Sequence, residues 1–263
     1  MSALTYALTD SATMLRRNLR HALRYPSMTL AGVMTPVIIL LLFVGVLGDT
    51  LGTGLGRMGG GATSYVDYVA PGIILMTVAG GCMATAVAVC VDMTGGIINR
   101  FRTMAISRAS VLTGHVVGSL IQTLISTALV IGVAVLLGFR PTADPLEWLA
   151  VIGLLVLVAF ALTWLAVLIG LISKSPESAS NTPLLIQFLP FISSAFVPVD
   201  SMPAGVRWFA EHQPFTPIIE TVRGLLLGTP VAGNAATAVA WCVGVGLLSY
   251  LGARAVFNRP RAS

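Results

Sequence analysis

The sequence predicts an all-α integral membrane protein with six transmembrane helices. Of its 263 residues, 56% are hydrophobic and only 10% are charged, whereas about a quarter of the residues in a soluble domain are charged. Six apolar runs each approach the roughly 20 residues that a helix needs to cross a bilayer. These runs are Thr29–Gly48, Tyr68–Val91, Leu112–Gly138, Trp148–Ile172, Thr182–Val199 and Ala236–Ala255.

Residues 1–27 have the pattern of a basic amphipathic helix. Leucine and alanine recur there every three or four positions, and Arg17, Arg20 and Arg24 fall on the opposite face. Such a helix lies in the headgroup plane of the membrane. A plain cytoplasmic tail is the alternative. We expect residues 28–263 to form one six-span transmembrane domain, without an ATPase domain.

The basic residues predict the orientation of the chain. With the amino terminus in the cytoplasm, 11 of the 15 Lys and Arg side chains lie on the cytoplasmic side. This bias follows the positive-inside rule. The sequence therefore predicts a multi-pass protein of the cell membrane, meaning the inner or plasma membrane, with both termini cytoplasmic. The four outer residues are Arg57, Arg140, Arg207 and Arg223.

The fifth apolar run and the segment after it contain many prolines. Pro183, Pro190 and Pro198 interrupt the run, so we expect a bent or broken helix there. The long segment from this run to the sixth contains apolar stretches, which predict short re-entrant helices on the outer side. Glu220 and Arg223 are three residues apart on one of these helices, and we expect them to lie close together.

The segment between the second and third runs is short, basic and partly apolar. Ile97, Phe101 and Met104 recur at steps of four and three, and Arg100 and Arg102 stand among them. This pattern predicts a short amphipathic cytoplasmic helix that docks on a soluble partner. The alternative is that the arginines only fix the topology and lie among lipid phosphates.

Recognisable catalytic motifs are missing from the sequence. The single lysine, Lys174, is followed by Ser175, but the glycines of a phosphate-binding loop are replaced by Leu168 and Ser173. His, Cys, Asp and Glu show no metal-ligand spacing, and the central parts of the runs contain no charged residue. Proton-driven pumps usually need intramembrane carboxylates or histidines. We therefore expect a transport subunit, not an enzyme, with energy supplied by another subunit.

Two other functions remain as alternatives: an integral membrane enzyme acting on lipid and a self-contained secondary transporter. Polar side chains within or beside the apolar runs are candidates for a substrate pathway. Gln122 and Ser126 follow Gly114 and Gly118 at steps of four, and an amide inside a membrane needs a partner. An uncharged pathway favours amphipathic or hydrophobic cargo such as drugs or lipids. The candidate pathway residues are Gln122, Ser126, Gln187, Ser193 and Ser194.

Two stretches carry a resemblance to a known family. GIINRFRTMAISRASVLTG at 96–114 contains an Arg-Phe-Arg core followed by Ser-Arg, and the stretch at 188–228 contains Phe-x-Pro, Met-Pro, Gln-Pro-x-Thr-Pro and a final Arg. The chain resembles the ABC-2 type transporter permeases, in particular the daunorubicin-resistance-like branch of bacterial exporters. Ala105 stands where that family's loop has Pro, and His115 stands where Arg is common.

The resemblance implies an export machine with separate energy-supplying subunits. In such permeases the loop between the second and third spans is a coupling helix that inserts into an ATP-binding cassette subunit. This implies a role in ATPase coupling for Ile97, Arg100, Phe101, Arg102 and Met104. It also implies two permeases, identical or different, with the pathway between them, and two ATPase subunits that hold ATP and Mg. This chain would bind no cofactor and no nucleic acid.

Overall fold

The computed structural model describes residues 26–48, 65–95, 108–231 and 233–258. The predicted amphipathic helix of residues 1–27 therefore lies almost wholly outside the described residues. The coupling residues Ile97, Arg100, Phe101, Arg102 and Met104 lie outside them entirely, and their predicted roles stay predictions.

The described part of the chain is all α-helical. Its eight α-helices are α1 (Pro26–Gly45), α2 (Tyr65–Thr94), α3 (Arg108–Leu136), α4 (Pro145–Ile172), α5 (Pro176–Phe188), α6 (Ala204–His212), α7 (Phe215–Leu227) and α8 (Asn234–Asn258). Two short 3-10 turns, Leu189–Ile192 and Val199–Ser201, follow α5.

Four helices in the described residues are long and apolar enough to cross a membrane: α2, the Val116–Leu136 part of α3, α4, and the Asn234–Phe257 part of α8. They correspond to the predicted second, third, fourth and sixth runs. The first run forms α1, within which Gly32–Gly45 is a shorter apolar helix. These helices support a multi-pass membrane protein.

The fifth run is broken, as expected from its prolines, but its helix has other bounds than Thr182–Val199. Helix α5 begins earlier, at Pro176, where the Ser175 and Ser178 side chains form a capping box. It ends at Phe188 after 13 residues. Pro190 follows in a 3-10 turn, and proline has no N–H with which to continue the α-helical hydrogen bonds. The chain then turns towards α6 and α7 instead of completing a straight span.

Helix α2 lies at the centre of the described helices. Twenty of its residues are buried, and Val69, Ile73, Ile74 and Leu75 have no exposed surface. Gly170 lets α4 approach it closely, since a Cβ at Gly170 would lie 2.6 Å from the Ala86 carbonyl oxygen. Helices α1, α3, α5 and α7 also pack against α2. Side chains on α2 therefore face nearly every other part of the described fold.

Candidate functional site

Polar side chains from α3 and α5 approach α2 closely at Gly80 and Gly81, which have no side chains to keep them away. Gly81 contacts the Thr123 hydroxyl of α3, and four residues further along α2 the Thr85 hydroxyl donates to Ser119 Oγ at 2.8 Å. On the other flank, the Gln187 amide of α5 lies 3.7 Å from the position that a Cβ on Gly80 would occupy. We call this arrangement the Gly80–Gly81 site.

Gln122 and Ser126 extend the Gly80–Gly81 site along α3. They stand three and seven residues after Ser119, a spacing that puts all three on one face of a helix. Because Ser119 bonds Thr85 of α2, that face runs beside α2. Ser126 is buried and Gln122 is half-buried. Three of the five candidate pathway residues, Gln122, Ser126 and Gln187, thus lie on helices that pack against α2.

Ser193 and Ser194 belong to a different level of the molecule. The turn that contains them packs on α2 at Gly72, where a Cβ would lie 2.5 Å from Ala195 Cβ. Gly72 precedes Gly80 by eight residues, which is about 12 Å along a helix. The Ser193 hydroxyl donates to the Pro190 carbonyl and accepts from the Ala195 amide at 3.1 Å. The Ser193 side chain thus stabilises the turn, and the five candidates do not form one group.

Arg223 of α7 is buried and joins three parts of the chain. Its Nη1 lies 2.6 Å from Glu220 Oε1, so the two residues expected to lie together do so. Its Nη2 donates to the Ser194 carbonyl at 2.7 Å and to the Tyr68 carbonyl at 3.0 Å. The guanidinium also lies over the Tyr68 ring, 3.9 Å from its centroid, a favourable cation–π geometry. Arg223 therefore binds α7, α2 and the turn after α5 together.

Two further contacts of this region are missing from the sequence predictions. The Gln213 amide donates to the Leu189 and Ile192 carbonyls at 3.3 and 3.0 Å and so holds the 3-10 turn against the start of α7. The Arg140 amide donates to Asp67 Oδ1 at 3.0 Å. Both contacts join residues far apart in sequence, so no local pattern predicts them. The one sequence signal at either contact is the Gln-Pro-x-Thr-Pro pattern, which begins at Gln213.

Arg207 of α6 is an exposed counterpart of Arg223. It pairs with Asp200 at 2.6 Å and with Glu211 at 2.8 Å. The hydrogen bond that Arg207 donates to Glu211 and the charge of the nearby Asp200 carboxylate raise the pKa of Arg207. Its side chain is 44% exposed, against 9% for Arg223. Exposed pairs of this kind contribute little to stability, which makes Arg207 a matched control for Arg223.

Comparison with known proteins places the chain in a family. The pattern of the ABC-2 type transporter family matches residues 10–227. The chain belongs to the ABC-2 type transporter family. The matched residues include α2, the Gly80–Gly81 site and the Arg223 contacts.

Relatives of this ABC-2 permease are named for drug resistance. The chain is 25% identical over 244 residues to the daunorubicin resistance ABC transporter permease protein of Streptomyces coeruleorubidus, covering 92% of this chain and 83% of that protein. It is 25% identical over 215 residues to the "probable doxorubicin resistance ABC transporter permease protein" of Mycobacterium tuberculosis, covering 81% and 76%. The chain is thus a membrane permease subunit of the exporter type.

Within the described residues, no group of three or more His, Cys, Asp or Glu side chains could hold a metal ion. The buried polar side chains of the described residues include Ser and Thr hydroxyls, the Gln213 amide, the Asp67 and Asp92 carboxylates and the Arg223 guanidinium. Such groups can bind and guide a molecule, or hold helices in place.

Proposed function

We propose that this permease moves an amphipathic or hydrophobic molecule, such as a drug, antibiotic or lipid, out of the cytoplasm. ATP is hydrolysed with Mg on a separate ATP-binding cassette subunit. The observation that supports this best is the ABC-2 family match over residues 10–227, since ABC-2 permeases work with such subunits. The names of the relatives support a drug-like cargo.

The proposed arrangement has six membrane passages. Four are the long apolar helices α2, α3, α4 and α8, the first is α1, and the fifth is α5 with the 3-10 turn after it. Helix α5 is short for a spanning helix, and α6 and α7 fold back beside its end. Both termini and the segment between α2 and α3 face the cytoplasm. Residues 1–27 lie along the membrane surface.

Coupling to the ATPase is assigned to the segment between Thr94 and Arg108, where α2 ends and α3 begins. Its position supports this role, because a movement of the segment would pass directly into α2, the most buried of the four long apolar helices. Ile97, Phe101 and Met104 form the apolar face in the partner's groove. Arg100 and Arg102 supply the charge that directs docking towards an acidic rim.

The cargo route is assigned to the Gly80–Gly81 site and its extension along α3. Gln122, Ser126 and Gln187 supply hydrogen-bonding groups on otherwise apolar helices, a combination suited to amphipathic molecules. A second permease, identical or different, completes the transporter. The pathway is proposed to lie between the two permeases.

Cysteine accessibility tests the orientation on which the coupling proposal depends. In a background without the three native cysteines, cysteines introduced at Gly60 and Gly205 are expected to react in intact cells with an impermeant thiol reagent. A cysteine introduced at Ser107 is expected to react only after the cells are permeabilised, because the positive-inside rule places that segment in the cytoplasm. Reaction at Ser107 from outside would refute the proposal, since a coupling segment outside the cell cannot contact an ATPase.

A further inference from the structure

Four phenylalanines form a row from α1 to the end of α5. The Phe43 ring of α1 stacks on Phe196 at a centroid distance of 4.3 Å, and Phe196 stacks on Phe191 at 5.1 Å. Phe191 in turn lies 5.9 Å from Phe188, the last residue of α5, with the two rings inclined at 42°. These distances are close to the roughly 4.5–7 Å that aromatic pairs favour. We call these four residues the phenylalanine row.

The phenylalanine row leads from the core of the fold to its surface. Phe196 is 5% exposed, Phe191 is 37% exposed and Phe188 is 54% exposed. Phe188 directly follows Gln187, the α5 residue of the Gly80–Gly81 site. Leu185, three residues before Phe188 and therefore on the same side of α5, is also exposed. An open apolar and aromatic surface thus begins beside the amide of that site.

This surface lies at the depth of the hydrocarbon. Helix α2 has 30 residues, and a helix of that length extends about 45 Å, the thickness of a bilayer with its headgroups. Ala195 packs on Gly72, about 10 Å from the beginning of α2, and Gln187 approaches Gly80, about 22 Å from it. The chain between Gln187 and Ala195 therefore lies inside the membrane.

The backbone of this chain segment is irregular. After Phe188 the chain forms the 3-10 turn Leu189–Ile192 and further turns at residues 193–196. Ile192 is 42% exposed and Val197 is 39% exposed, so one side of the segment is uncovered in the single permease. Irregular backbone at this depth is tolerated only where protein covers it or where it lines a water-filled cavity, because lipid tails cannot hydrogen-bond to it. The uncovered side therefore faces the pathway between the two proposed permeases and not the lipid.

We propose that Phe188 and Phe191 form a binding site for planar aromatic cargo in this pathway. An exposed ring at the end of a row can stack on one more flat ring system, and the Gln187 amide can hydrogen-bond to a polar edge of the same molecule. The cargo class is thus an amphipathic molecule with fused aromatic rings. This inference rests on the proposed function, because the second permease and the pathway belong to it.

A second aromatic cluster in the described residues provides a matched control. Phe160 of α4 lies 6.3 Å from Trp164 in an edge-to-face arrangement, and it is 42% exposed. It stands on an unbroken helix of 28 residues, whose backbone groups are paired within the helix and which can therefore face lipid. Phe160 matches Phe191 in side chain and exposure but lacks the irregular backbone.

Doxorubicin, which is planar, aromatic and fluorescent, is the probe for the site. The full-length permease would be purified with its second permease, placed in lipid nanodiscs without ATPase or nucleotide, and titrated by doxorubicin fluorescence, with empty nanodiscs as the blank. Leucine keeps an apolar side chain but has no ring face, so we expect Phe188→Leu and Phe191→Leu each to weaken the affinity about fivefold to tenfold. Phe191→Trp is expected to retain the affinity, and Phe160→Leu to leave it unchanged.

Thiol labelling tests whether the surface of α5 faces water. In a background without native cysteines, Leu185→Cys is compared with Leu248→Cys of α8, since the two leucines are 72% and 71% exposed. We expect a water-soluble maleimide to label Leu185→Cys at least about tenfold faster, because a thiol in contact with lipid stays protonated and reacts slowly. Doxorubicin is expected to slow the labelling of Leu185→Cys.

Three results would overturn the aromatic site. The first is an unmodified permease that does not bind doxorubicin, or binds it as tightly as both leucine variants do. The second is an equal loss of affinity in Phe160→Leu, which would show that the drug binds to the membrane-facing surface in general. The third is Leu185→Cys that labels as slowly as Leu248→Cys, which would show that lipid or the second permease covers this surface. These measurements use no ATP, so the site and ATP-driven export can fail separately.

Discussion

Phe101→Ala is expected to abolish export while the permease still inserts into the membrane normally. The substitution keeps every charge, so the distribution of basic residues that sets topology is unchanged. Burial of a phenylalanine side chain in a partner's groove contributes roughly 1.5–3 kcal/mol. Its loss would weaken ATPase binding about tenfold to a hundredfold, since each 1.4 kcal/mol is a factor of ten. We would measure the ATPase that co-purifies with the permease and the resistance of cells to a drug.

Phe209→Ala is the matched control for Phe101→Ala. Phe209 is an exposed phenylalanine on α6, on the side predicted to face away from the cytoplasm. Its replacement is expected to leave ATPase co-purification unchanged. If Phe101→Ala binds the ATPase and exports as well as the unmodified permease, Phe101 is not an anchor of the interface. The arginines around it would then serve only to fix topology.

Arg223→Ala is expected to be the most destabilising change among the described charged residues. It leaves the Glu220 carboxylate without its partner and removes the donor from the Tyr68 and Ser194 carbonyls. Removing one partner of a buried ion pair costs about 3–5 kcal/mol. The yield of assembled permease and its thermal midpoint in detergent should both fall. Arg207→Ala, which removes only exposed ion pairs, should change neither.

The companion variants of Glu220 separate the ion pair from the carbonyl bonds. Glu220→Ala alone should be milder than Arg223→Ala, because Arg223 keeps both carbonyl acceptors. The double variant should recover only part of the loss, because the unpaired carboxylate is gone but the carbonyls still lack a donor. A double variant with the stability of the unmodified permease would show that the carbonyl bonds contribute nothing.

Much of the fold was predictable because apolar length is a strong signal in a membrane protein. The runs that became α2, α3, α4 and α8 were found from composition alone, with ends that differ by a few residues. The break in the fifth run was also predictable, because its prolines are visible in the sequence. The start of its helix was not, because it depends on the cap at Ser175, about which apolar length gives no information.

The candidate site was predictable only where the signal is local. Glu220 and Arg223 stand three apart on one helix, so their pairing could be expected from the sequence. The Tyr68 carbonyl that Arg223 also binds is 155 residues away. Every residue has a backbone carbonyl, so the sequence does not indicate which one binds the arginine. Ser193 is a predicted pathway residue because it is polar within the fifth apolar run. Its contacts in the turn after α5 could not be read from the sequence.

Reconstituted transport tests most directly whether a separate ATPase powers this permease. The permease would be placed in proteoliposomes with the ATP-binding cassette subunit that co-purifies with it, and movement of doxorubicin, the drug in one relative's name, would be followed. We predict transport only when the permease, the ATPase, ATP and Mg are all present, and none with an ATPase whose phosphate-binding lysine is replaced. Equal transport by the permease alone, driven by a proton gradient and unaffected by the ATPase, would contradict the proposed function.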